Sequence, residues 1–434
     1  MGAGNLRVNI SRLFVDISYT RIQTGSIGVT RTVRRLLEEF EHAASSTGLQ
    51  CQPVAIHSSG FRAVSLPPLV ALAGTPFSKS GKVASLLRWV IGGRVRRLVL
   101  ATLPLAWQQT IWVHFSRWTF DSLAQQAPLV KFRSGDVLLL CDASWHYDAW
   151  DAANKARRQG ARVVLVVYDL IPIQHPEFCA QLVSRVFQQW LAETVSASDA
   201  VLCISAAVEK ELRGYAEMTA LFLPPTGHFR LGCDPICKFE DGQVVRPEIA
   251  DFLNAPAATF AAVGSFEPRK NYGWLLQAFE KMWADGYNMR LLIVGRPTTD
   301  GQTLIKKMKQ HPEQGSKLLT VLDANDKELA YVYARSRALL FPSLAEGFGL
   351  PLVEARTRGC HVIASNLPAF LELEDEGVSL FKQNSFAEMS ALVIAHAEKE
   401  SHVAKTTMTS FTWNDSAHEF LGVMERLIVE QWKT

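Results

Sequence analysis

Residues 341–354, FPSLAEGFGLPLVE, connect a short apolar strand to the start of a helix through a loop that contains Gly347 and Gly349. Pro351 stands where the first turn of that helix is expected. Glycines beside a helix N-terminus leave backbone N–H groups open to close approach, and the helix dipole favours an anion at the same place. The segment therefore predicts an α/β fold in which an anion such as a diphosphate binds at the end of a strand.

Two carboxylates frame this loop: Glu346 lies within it, and Glu354 is expected on the first turn of the helix. A carboxylate that faced a phosphate would repel it, so each is expected to face neutral hydroxyl groups. An anion site with hydroxyl acceptors beside it indicates a sugar nucleotide. The alternative interpretation is an ordinary strand-to-helix turn whose acidic residues cap the helix.

A second segment, residues 263–271 (VGSFEPRKN), has the same order of apolar strand, tight turn and helix start. Arg269 and Lys270 stand at the start of that helix, where a positive charge opposes the helix dipole. An anionic ligand would explain why two cations are found there. The two segments therefore indicate the same kind of ligand.

Together these segments, with Val294 and Gly295 between them, resemble the retaining glycosyltransferases of family 4, which have the GT-B fold. The resemblance continues through residues 362–366 and 411–413, so it covers essentially all of the C-terminal half. The chain departs from the family pattern at residues 360–361, Cys-His, where the family usually has a small residue and proline. This departure is expected to affect a turn and not the chemistry.

The family's Glu-x7-Glu pattern falls on Glu346 and Glu354, and its phosphate-binding pair falls on Arg269 and Lys270. The resemblance implies that the two cations bind the donor diphosphate and stabilise its charge as it departs. It implies that Glu346 holds the sugar hydroxyls and Glu354 the ribose. The donor-binding residues that it implies in this half are Gly264, Arg269, Lys270, Glu346, Gly347, Phe348, Gly349, Leu350 and Glu354, of which Arg269, Lys270 and Glu346 are expected to be catalytic.

The resemblance also implies transfer with retention, by attack on the same face, with a donor phosphate oxygen accepting the acceptor's proton. A nucleoside diphosphate is already a good leaving group, so the two carboxylates need not act as they do in a glycosidase. No metal and no further cofactor is expected, because Arg269 and Lys270 supply positive charge and no Asp-x-Asp cluster lies near the loop. Replacement of Lys270 or Glu346 by alanine is expected to abolish transfer without unfolding the protein.

The length of 434 residues, of which 48% are hydrophobic, predicts two domains. The expected fold is GT-B: two Rossmann-like doubly wound α/β domains that face a cleft. Residues 1–245 are assigned to the acceptor domain, 246–415 to the nucleotide-sugar domain, and 416–434 to a helix that returns to the first domain. A net charge of +3 argues against a nucleic-acid partner. The seven cysteines form no disulfide framework and favour a cytoplasmic protein, and the N-terminus is interpreted as a strand over residues 6–17, not a signal peptide.

Residues 42–120 contain no aspartate or glutamate and mix basic, aromatic and aliphatic side chains. This composition is typical of an element that lies on an anionic membrane surface. Within it, residues 98–116 are uncharged, but Pro104 and His114 argue against a transmembrane helix. A helical insertion at about 60–130 is therefore predicted, and its residues at about 60–120 are predicted to contact the inner face of the cytoplasmic membrane or a lipid-linked acceptor. The alternative is an ordinary helical insertion packed on the first domain.

Four polar residues of the N-terminal half follow buried strands, at the edge where ligands of open parallel sheets bind. Asp142 and His146 follow one strand, and Tyr168 and Asp169 follow another. The sequence Tyr-Asp-Leu-Ile-Pro from Tyr168 resembles the acceptor-side motif of bacterial mannosyl- and rhamnosyltransferases of this family, which implies a catalytic role for Asp169. Many members have histidine at the position of Tyr168, and His146 is a candidate substitute. The alternative is that Asp142 and Asp169 only cap loops.

Near the N-terminus, Gly25 and Gly28 lie in a loop between the first strand and a helix. Their spacing does not match the dinucleotide-binding pattern G-x-G-x-x-G. The resemblance places Gly28 near the donor diphosphate at the interdomain cleft. The alternative is a simple strand-to-helix turn.

The function predicted from the sequence is therefore retaining transfer of a hexose from a nucleotide-sugar to a hydroxyl of a glycan acceptor. The resemblance favours mannose from GDP-mannose, a lipid-linked acceptor and a role in bacterial surface polysaccharide synthesis. One alternative is a nucleotide-sugar epimerase of the same fold. Another is a non-catalytic scaffold that binds a membrane through residues 42–120, although the presence of all four charged site residues argues against it.

Overall fold

The computed structural model describes residues 10–23, 28–67, 126–147, 149–234, 245–398 and 411–430, together with Trp107 and Phe120. The contacts divide the chain into two units, residues 1–230 with 413–434, and residues 231–412. The first unit thus ends at residue 230, whereas the sequence places this boundary at 245. The chain re-enters the first unit at 413, whereas the sequence places that point at 416.

The first unit contains a seven-stranded sheet in the order β3-β2-β1-β4-β5-β6-β7, in which only β2 and β3 pair antiparallel. Its strands are β1 Arg12–Asp16, β2 Gln50–His57, β3 Gly60–Ala63, β4 Asp136–Leu140, β5 Arg162–Val167, β6 Ala200–Cys203 and β7 Thr226–His228. Its helices before the second unit are α1 Val29–Thr47, α2 Trp150–Arg158, α3 Ile171–Gln174, α4 Gln181–Val195 and α5 Ala206–Thr219.

The second unit contains a six-stranded parallel sheet in the order β10-β9-β8-β11-β12-β13. Its strands are β8 Ala258–Val263, β9 Met289–Val294, β10 Leu318–Val321, β11 Ala338–Phe341, β12 Val362–Ser365 and β13 Val378–Phe381. Its helices are α6 Pro247–Leu253, α7 Tyr272–Ala284, α8 Gln302–Lys309, α9 Asp326–Arg335, α10 Leu350–Thr357, α11 Pro368–Leu371 and α12 Phe386–Ala397.

The central strands β4 and β8 are buried along their whole length because helices cover both faces of each sheet. All five residues of β4 and all six of β8 are buried, which is the pattern of a parallel sheet covered on both sides. The interruption of the strand order at β1–β4 and at β8–β11 marks the two doubly wound sheets. The predicted fold class, two Rossmann-like α/β domains, is confirmed.

The last helix, α13 Trp413–Glu430, belongs to the first unit. The ring of Phe420 packs against Phe40 of α1, with centroids 5.2 Å apart, and against Phe229, at 4.9 Å. The Ser416 hydroxyl donates a hydrogen bond to the Arg230 carbonyl at 2.6 Å. The predicted return of the C-terminal helix to the first domain is therefore confirmed.

Most of the basic and apolar segment predicted as an insertion at about 60–130 lies outside the described residues. Its first residues are not an insertion, because β3 at 60–63 pairs with β2 as the edge strand of the sheet. No helix in the described part of the chain is both long enough and apolar enough to cross a membrane.

Candidate active site

Close contacts between glycines bring the carboxyl ends of β8 and β9 together in the second unit. The Gly264 N–H donates to the Val294 carbonyl at 3.0 Å. A Cβ atom added to Gly295 would lie 1.7 Å from the carbonyl oxygen of Gly264, so only glycine fits there. Gly264 itself has a φ of +150°, which favours glycine. This arrangement fixes the backbone that leads into a short 3-10 helix, Pro268–Lys270.

That turn and the loop after β11 meet through an ion cluster centred on Glu346. One carboxylate oxygen of Glu346 lies 2.5 Å from Lys270 Nζ, and the other lies 2.7 Å from Arg269 Nη1. The Ser343 hydroxyl donates to the first of these oxygens at 2.7 Å. Only 6% of the Lys270 side chain and 8% of the Glu346 side chain are exposed, so this ion pair is buried.

The buried part of the cluster contains two cations, Arg269 and Lys270, and one carboxylate, Glu346. Burial acts to raise the pKa of Glu346, but Arg269 and Lys270 outweigh it and lower that pKa to about 2. Burial lowers the pKa of Lys270, and Glu346 opposes this effect. The two cations thus share one buried carboxylate, and the more exposed Glu267 pairs with Arg269 at 2.7 Å. An anion that entered this site would meet two cations held in place.

The two segments singled out in the sequence are therefore in direct contact. The Leu344 N–H donates to the Arg269 carbonyl at 2.8 Å, and Arg269 Nη1 donates to the Ala345 carbonyl at 3.0 Å. In the sequence interpretation Glu346 faces sugar hydroxyls, while the cations face a diphosphate. In the structure, the carboxylate and the cations face each other.

The loop continues through Gly347 and Phe348 into α10, which begins at Leu350. Gly349 precedes the helix with a φ of +109°, and Pro351 lies in the first turn as expected. A Cβ atom added to Gly349 would lie 2.7 Å from the Phe370 ring, so glycine is required at this position. Phe348 is buried, which anchors the loop beside Glu346.

Glu354 lies one turn further along α10 than the sequence analysis expected. It is the fifth residue of the helix, so the prediction that it lies on the first turn is wrong. Its side chain is buried, and the Tyr333 hydroxyl of α9 donates to its carboxylate at 3.0 Å. Tyr333 gave no signal in the sequence, because an aromatic residue at helical spacing is usually a core residue.

A cavity of about 1010 Å³ opens in the same unit at the carboxyl ends of β9 and β10. Its lining includes Arg296 and Pro297 after β9, and Leu322 and Asp323 after β10. Arg246 at its edge forms ion pairs with Glu328 at 2.6 Å and Asp323 at 2.8 Å. The volume is sufficient for a nucleoside-sized ligand.

In the first unit, the Asp142 carboxylate binds the loop that follows β1. Its carboxylate accepts hydrogen bonds from the Thr20 N–H at 2.7 Å, the Thr20 hydroxyl at 2.9 Å and the Ala143 N–H at 2.8 Å. It is 1% exposed. Asp142 therefore has the loop-holding role that the alternative interpretation assigned to it.

Asp16, which the sequence analysis did not single out, is a second buried carboxylate, at the end of the neighbouring strand β1. It accepts hydrogen bonds from the Ser18 hydroxyl at 2.6 Å and the Tyr147 hydroxyl at 2.5 Å. Burial raises the pKa of Asp16 to about 6. Burial, together with the charge of Asp16, raises the pKa of Asp142 to about 7. Within the described residues, hydroxyl and backbone N–H groups donate to the pair and no cation does.

This pair predicts a pH dependence of stability. Because both pKa values are raised in the folded state, the pair's contribution to the unfolding free energy is full below about pH 4 and is lost as the pH rises through about 7. We expect Asp142→Asn, which mimics the protonated form, to reduce the difference in unfolding free energy between pH 5 and pH 8 by on the order of 2 kcal/mol. Urea unfolding at both pH values measures this, with the exposed Asp285→Asn as control. An unchanged difference in Asp142→Asn would contradict the assignment.

The other acceptor-side candidates have different surroundings. His146 stacks on Tyr19, with ring centroids 4.4 Å apart, and burial lowers its pKa to about 4. The Tyr168 hydroxyl donates to the Cys141 carbonyl at 2.7 Å and is buried, so it joins β5 to β4. His146 and Tyr168 therefore contribute to the packing of this sheet edge.

Asp169 is half-buried and accepts a hydrogen bond at 3.1 Å from the N–H of Ile171, the first residue of the short helix α3. Glu211 of α5, which was not among the sequence-based candidates, lies close enough for the charge of Asp169 to affect its pKa. Burial raises the pKa of Glu211 to about 7, and the Asp169 charge contributes. The structure thus places a second carboxyl group near Asp169.

Gly28 lies immediately before α1, with a φ of +51°, and its carbonyl accepts the Thr32 N–H at 3.2 Å. It is exposed, and a Cβ atom added there would meet no atom within 4 Å. Residues 24–27, including Gly25, lie outside the described residues. Among the residues that are described, no group of three or more His, Cys, Asp and Glu side chains could hold a metal ion.

Comparison with known proteins identifies relatives of this chain. Residues 248–408 match the family described as glycosyl transferases group 1. Over 308 residues the chain is 32% identical to the serotype-specific mannosyltransferase WbdA of Escherichia coli, an alignment that covers 67% of this chain and 37% of WbdA. The chain thus spans little more than a third of that relative. It is also 34% identical over 118 residues to the O-antigen chain mannosyltransferase RfbU of Salmonella typhimurium, covering 27% of this chain and 32% of RfbU.

Solved structures share the fold at low sequence identity. The catalytic domain of starch synthase IV from Arabidopsis thaliana superposes with a TM-score of 0.59 at 12% identity, covering 97% of this chain and all of that one. Sucrose-phosphate synthase from Thermosynechococcus elongatus superposes with a TM-score of 0.57 at 15% identity, covering 98% of both chains. Both have the GT-B fold, in agreement with the two doubly wound sheets. Residues 248–408, which lie in the second unit, thus form a group 1 glycosyl transferase domain.

Proposed function

We propose that this protein is a retaining mannosyltransferase that transfers mannose from GDP-mannose to a hydroxyl of a glycan acceptor in surface polysaccharide synthesis. One observation carries the proposal: Lys270, Arg269 and Glu346 form a buried ion cluster at the carboxyl edge of a parallel sheet in a group 1 glycosyl transferase domain. The relatives named as mannosyltransferases support the choice of sugar.

The leaving group in the proposed reaction is the nucleoside diphosphate. When a nucleotide-sugar binds, its diphosphate would compete with Glu346 for Lys270 and Arg269. These cations are already positioned, so they would stabilise the charge that develops on the departing diphosphate without reorganisation. Displaced from Lys270, the Glu346 carboxylate would be able to accept hydrogen bonds from the sugar hydroxyls.

The nucleoside of the donor would bind in the cavity of the same unit. The cavity beside β9 and β10 lies next to Gly295, whose backbone contacts Gly264. A diphosphate at Lys270 and a nucleoside in this cavity would therefore share one continuous ligand site. Its polar rim, with Arg246, Arg296 and Asp323, suits a base that offers both donors and acceptors.

Asp169 is the proposed residue on the acceptor side. The resemblance of the Tyr-Asp-Leu-Ile-Pro segment to mannosyltransferase motifs supports a role for Asp169 in positioning the attacking hydroxyl, and Glu211 lies near it. In the proposed mechanism the hydroxyl attacks the face from which the diphosphate leaves, and a phosphate oxygen takes the proton. The proposal includes a lipid-linked glycan acceptor that is bound at the membrane surface with help from the basic and apolar segment at about residues 60–120, and it involves no metal ion.

The donor can be tested by thermal unfolding with GDP, UDP, ADP and dTDP. A ligand that binds only the folded state raises Tm, and a hundredfold excess over Kd is expected to raise it by about 5 °C or more. We expect GDP to produce this shift selectively, and Lys270→Met to abolish it. A selective shift with UDP or dTDP would contradict the GDP-mannose assignment while keeping the site. No shift with any of the four would contradict the site itself.

A further inference from the structure

Tyr272 carries a buried hydroxyl group close to the ion cluster of Lys270 and Glu346. It is the first residue of α7 and follows Arg269, Lys270 and Asn271 directly. It is 2% exposed, and its ring packs edge-on against Phe266 with centroids 5.4 Å apart. Within the described residues, its hydroxyl oxygen has no hydrogen-bond partner. A buried polar group without a partner is rare in proteins, because it loses its hydrogen bonds to water and gains none in return.

The position of this hydroxyl relates it to Gly264. A Cβ atom added to Gly264 would lie 3.0 Å from the Tyr272 hydroxyl oxygen, 3.3 Å from Lys270 Cε and 3.6 Å from Lys270 Nζ. The side of Gly264 on which a Cβ atom would lie is therefore filled by a hydroxyl and an ammonium group together. Glycine at this position lets both polar groups lie against the backbone at the carboxyl end of β8.

The chemistry of the two groups selects the ligand. Lys270 provides a positive charge and three N–H donors, and a tyrosine hydroxyl provides one more donor. Burial raises the pKa of Tyr272, and the charges of Glu346 and Glu267 raise it further, so the group stays a neutral donor. Donors that converge beside a cation suit an anionic oxygen, such as that of a phosphate group.

We propose that Tyr272 is a diphosphate-binding residue, whose hydroxyl donates a hydrogen bond to a phosphate oxygen of the nucleotide-sugar beside Gly264 and Lys270. The inference rests on the proposed function and adds to it a donor that is unpartnered until the ligand binds. It also accounts for a hydroxyl at this buried position, where phenylalanine would fill the same space without an unpaired polar group.

Tyr272→Phe tests the proposal because it removes one oxygen atom and keeps the ring. We expect the dissociation constant of the nucleoside diphosphate that binds wild type, measured by titration calorimetry with GDP and UDP, to rise about tenfold. In the absence of nucleotide, we expect the variant to be as stable as wild type or more stable, because the unpaired hydroxyl is gone.

Tyr331→Phe is the matched control, since the Tyr331 hydroxyl donates to Asn254 at 3.1 Å in the same unit. It should lower the stability of the free protein and leave nucleotide affinity unchanged. Wild-type affinity in Tyr272→Phe, or a loss of stability like that of Tyr331→Phe, would overturn the role of Tyr272 while leaving the proposed function intact. If wild type bound neither nucleotide, the proposed function would fail and this inference with it.

Discussion

Lys270→Met is expected to abolish glycosyl transfer and also to lower the unfolding free energy by about 3 kcal/mol. The loss of stability follows from burial, because the substitution leaves the Glu346 carboxylate with Arg269 as its one remaining cation partner in the cluster. Glu346→Gln should have a similar effect, since it leaves Lys270 buried without its counter-charge. The sequence alone predicted loss of transfer without unfolding for alanine at either position, and the burial of both side chains changes that expectation.

The double variant Lys270→Met with Glu346→Gln separates stability from chemistry. Removing both members of a buried ion pair is often close to neutral, so most of the lost stability should return. Transfer should remain absent, because the diphosphate then lacks Lys270. Glu280→Gln is the control: its carboxylate forms half-exposed ion pairs with Lys307 and His311 and should affect both properties little. Urea unfolding and initial transfer rates give the two readouts, and near-normal turnover in the double variant would contradict the role assigned to Lys270.

Gly349→Ala is expected to lower both stability and nucleotide affinity. The residue has a φ of +109°, and the new Cβ would lie 2.7 Å from the Phe370 ring. The strain of the left-handed conformation alone costs about 1–3 kcal/mol, and the clash should displace the start of α10. Because Glu346 lies just before Gly349 and the helix N-terminus lies just after it, we expect nucleotide affinity to fall at least tenfold.

Gly422→Ala is the matched control for this substitution. Gly422 lies within α13, and a Cβ atom there would meet no atom within 4 Å. Alanine is favoured over glycine inside a helix by about 0.5–1 kcal/mol, so this variant should be slightly more stable and should bind nucleotide normally. Thermal unfolding with and without GDP compares the two variants. Unchanged nucleotide affinity in Gly349→Ala would contradict the placement of the ligand at this loop.

The sequence predicted which segments form the site, but it did not predict how their charges are paired. Arg269, Lys270 and Glu346 were identified because glycines, strand ends and charges occur together in short segments. Their mutual ion pairing depends on contacts between residues 76 positions apart, such as Lys270 with Glu346, which local patterns do not report. The difference in the domain boundary, which lies at 230 in the structure and at 245 in the sequence prediction, has the same cause. Cys233 donates its backbone N–H to the Phe411 carbonyl at 2.9 Å, which ties residues beyond 230 to the end of the second unit.

Buried polar side chains were the other features that sequence reasoning missed. Asp16 ends an apolar strand, and nothing in its neighbours indicates that it is buried beside Asp142. Tyr272 and Tyr333 occupy positions where an aromatic ring usually belongs to the core. Both rings are indeed buried. Only the structure shows that the Tyr333 hydroxyl binds Glu354 and that the Tyr272 hydroxyl has no hydrogen-bond partner among the described residues.

Mannose transfer from GDP-mannose to a mannose-containing oligosaccharide is the most direct test of the proposed function. The measurement follows GDP release and the mannosylated product together, for the wild-type chain and for Lys270→Met. We expect equal amounts of GDP and of a longer oligosaccharide whose new linkage keeps the α configuration of the donor, and no product from the variant. Interconversion of free nucleotide-sugar without a new glycoside, or no turnover of GDP-mannose by the wild-type chain, would contradict the proposed function.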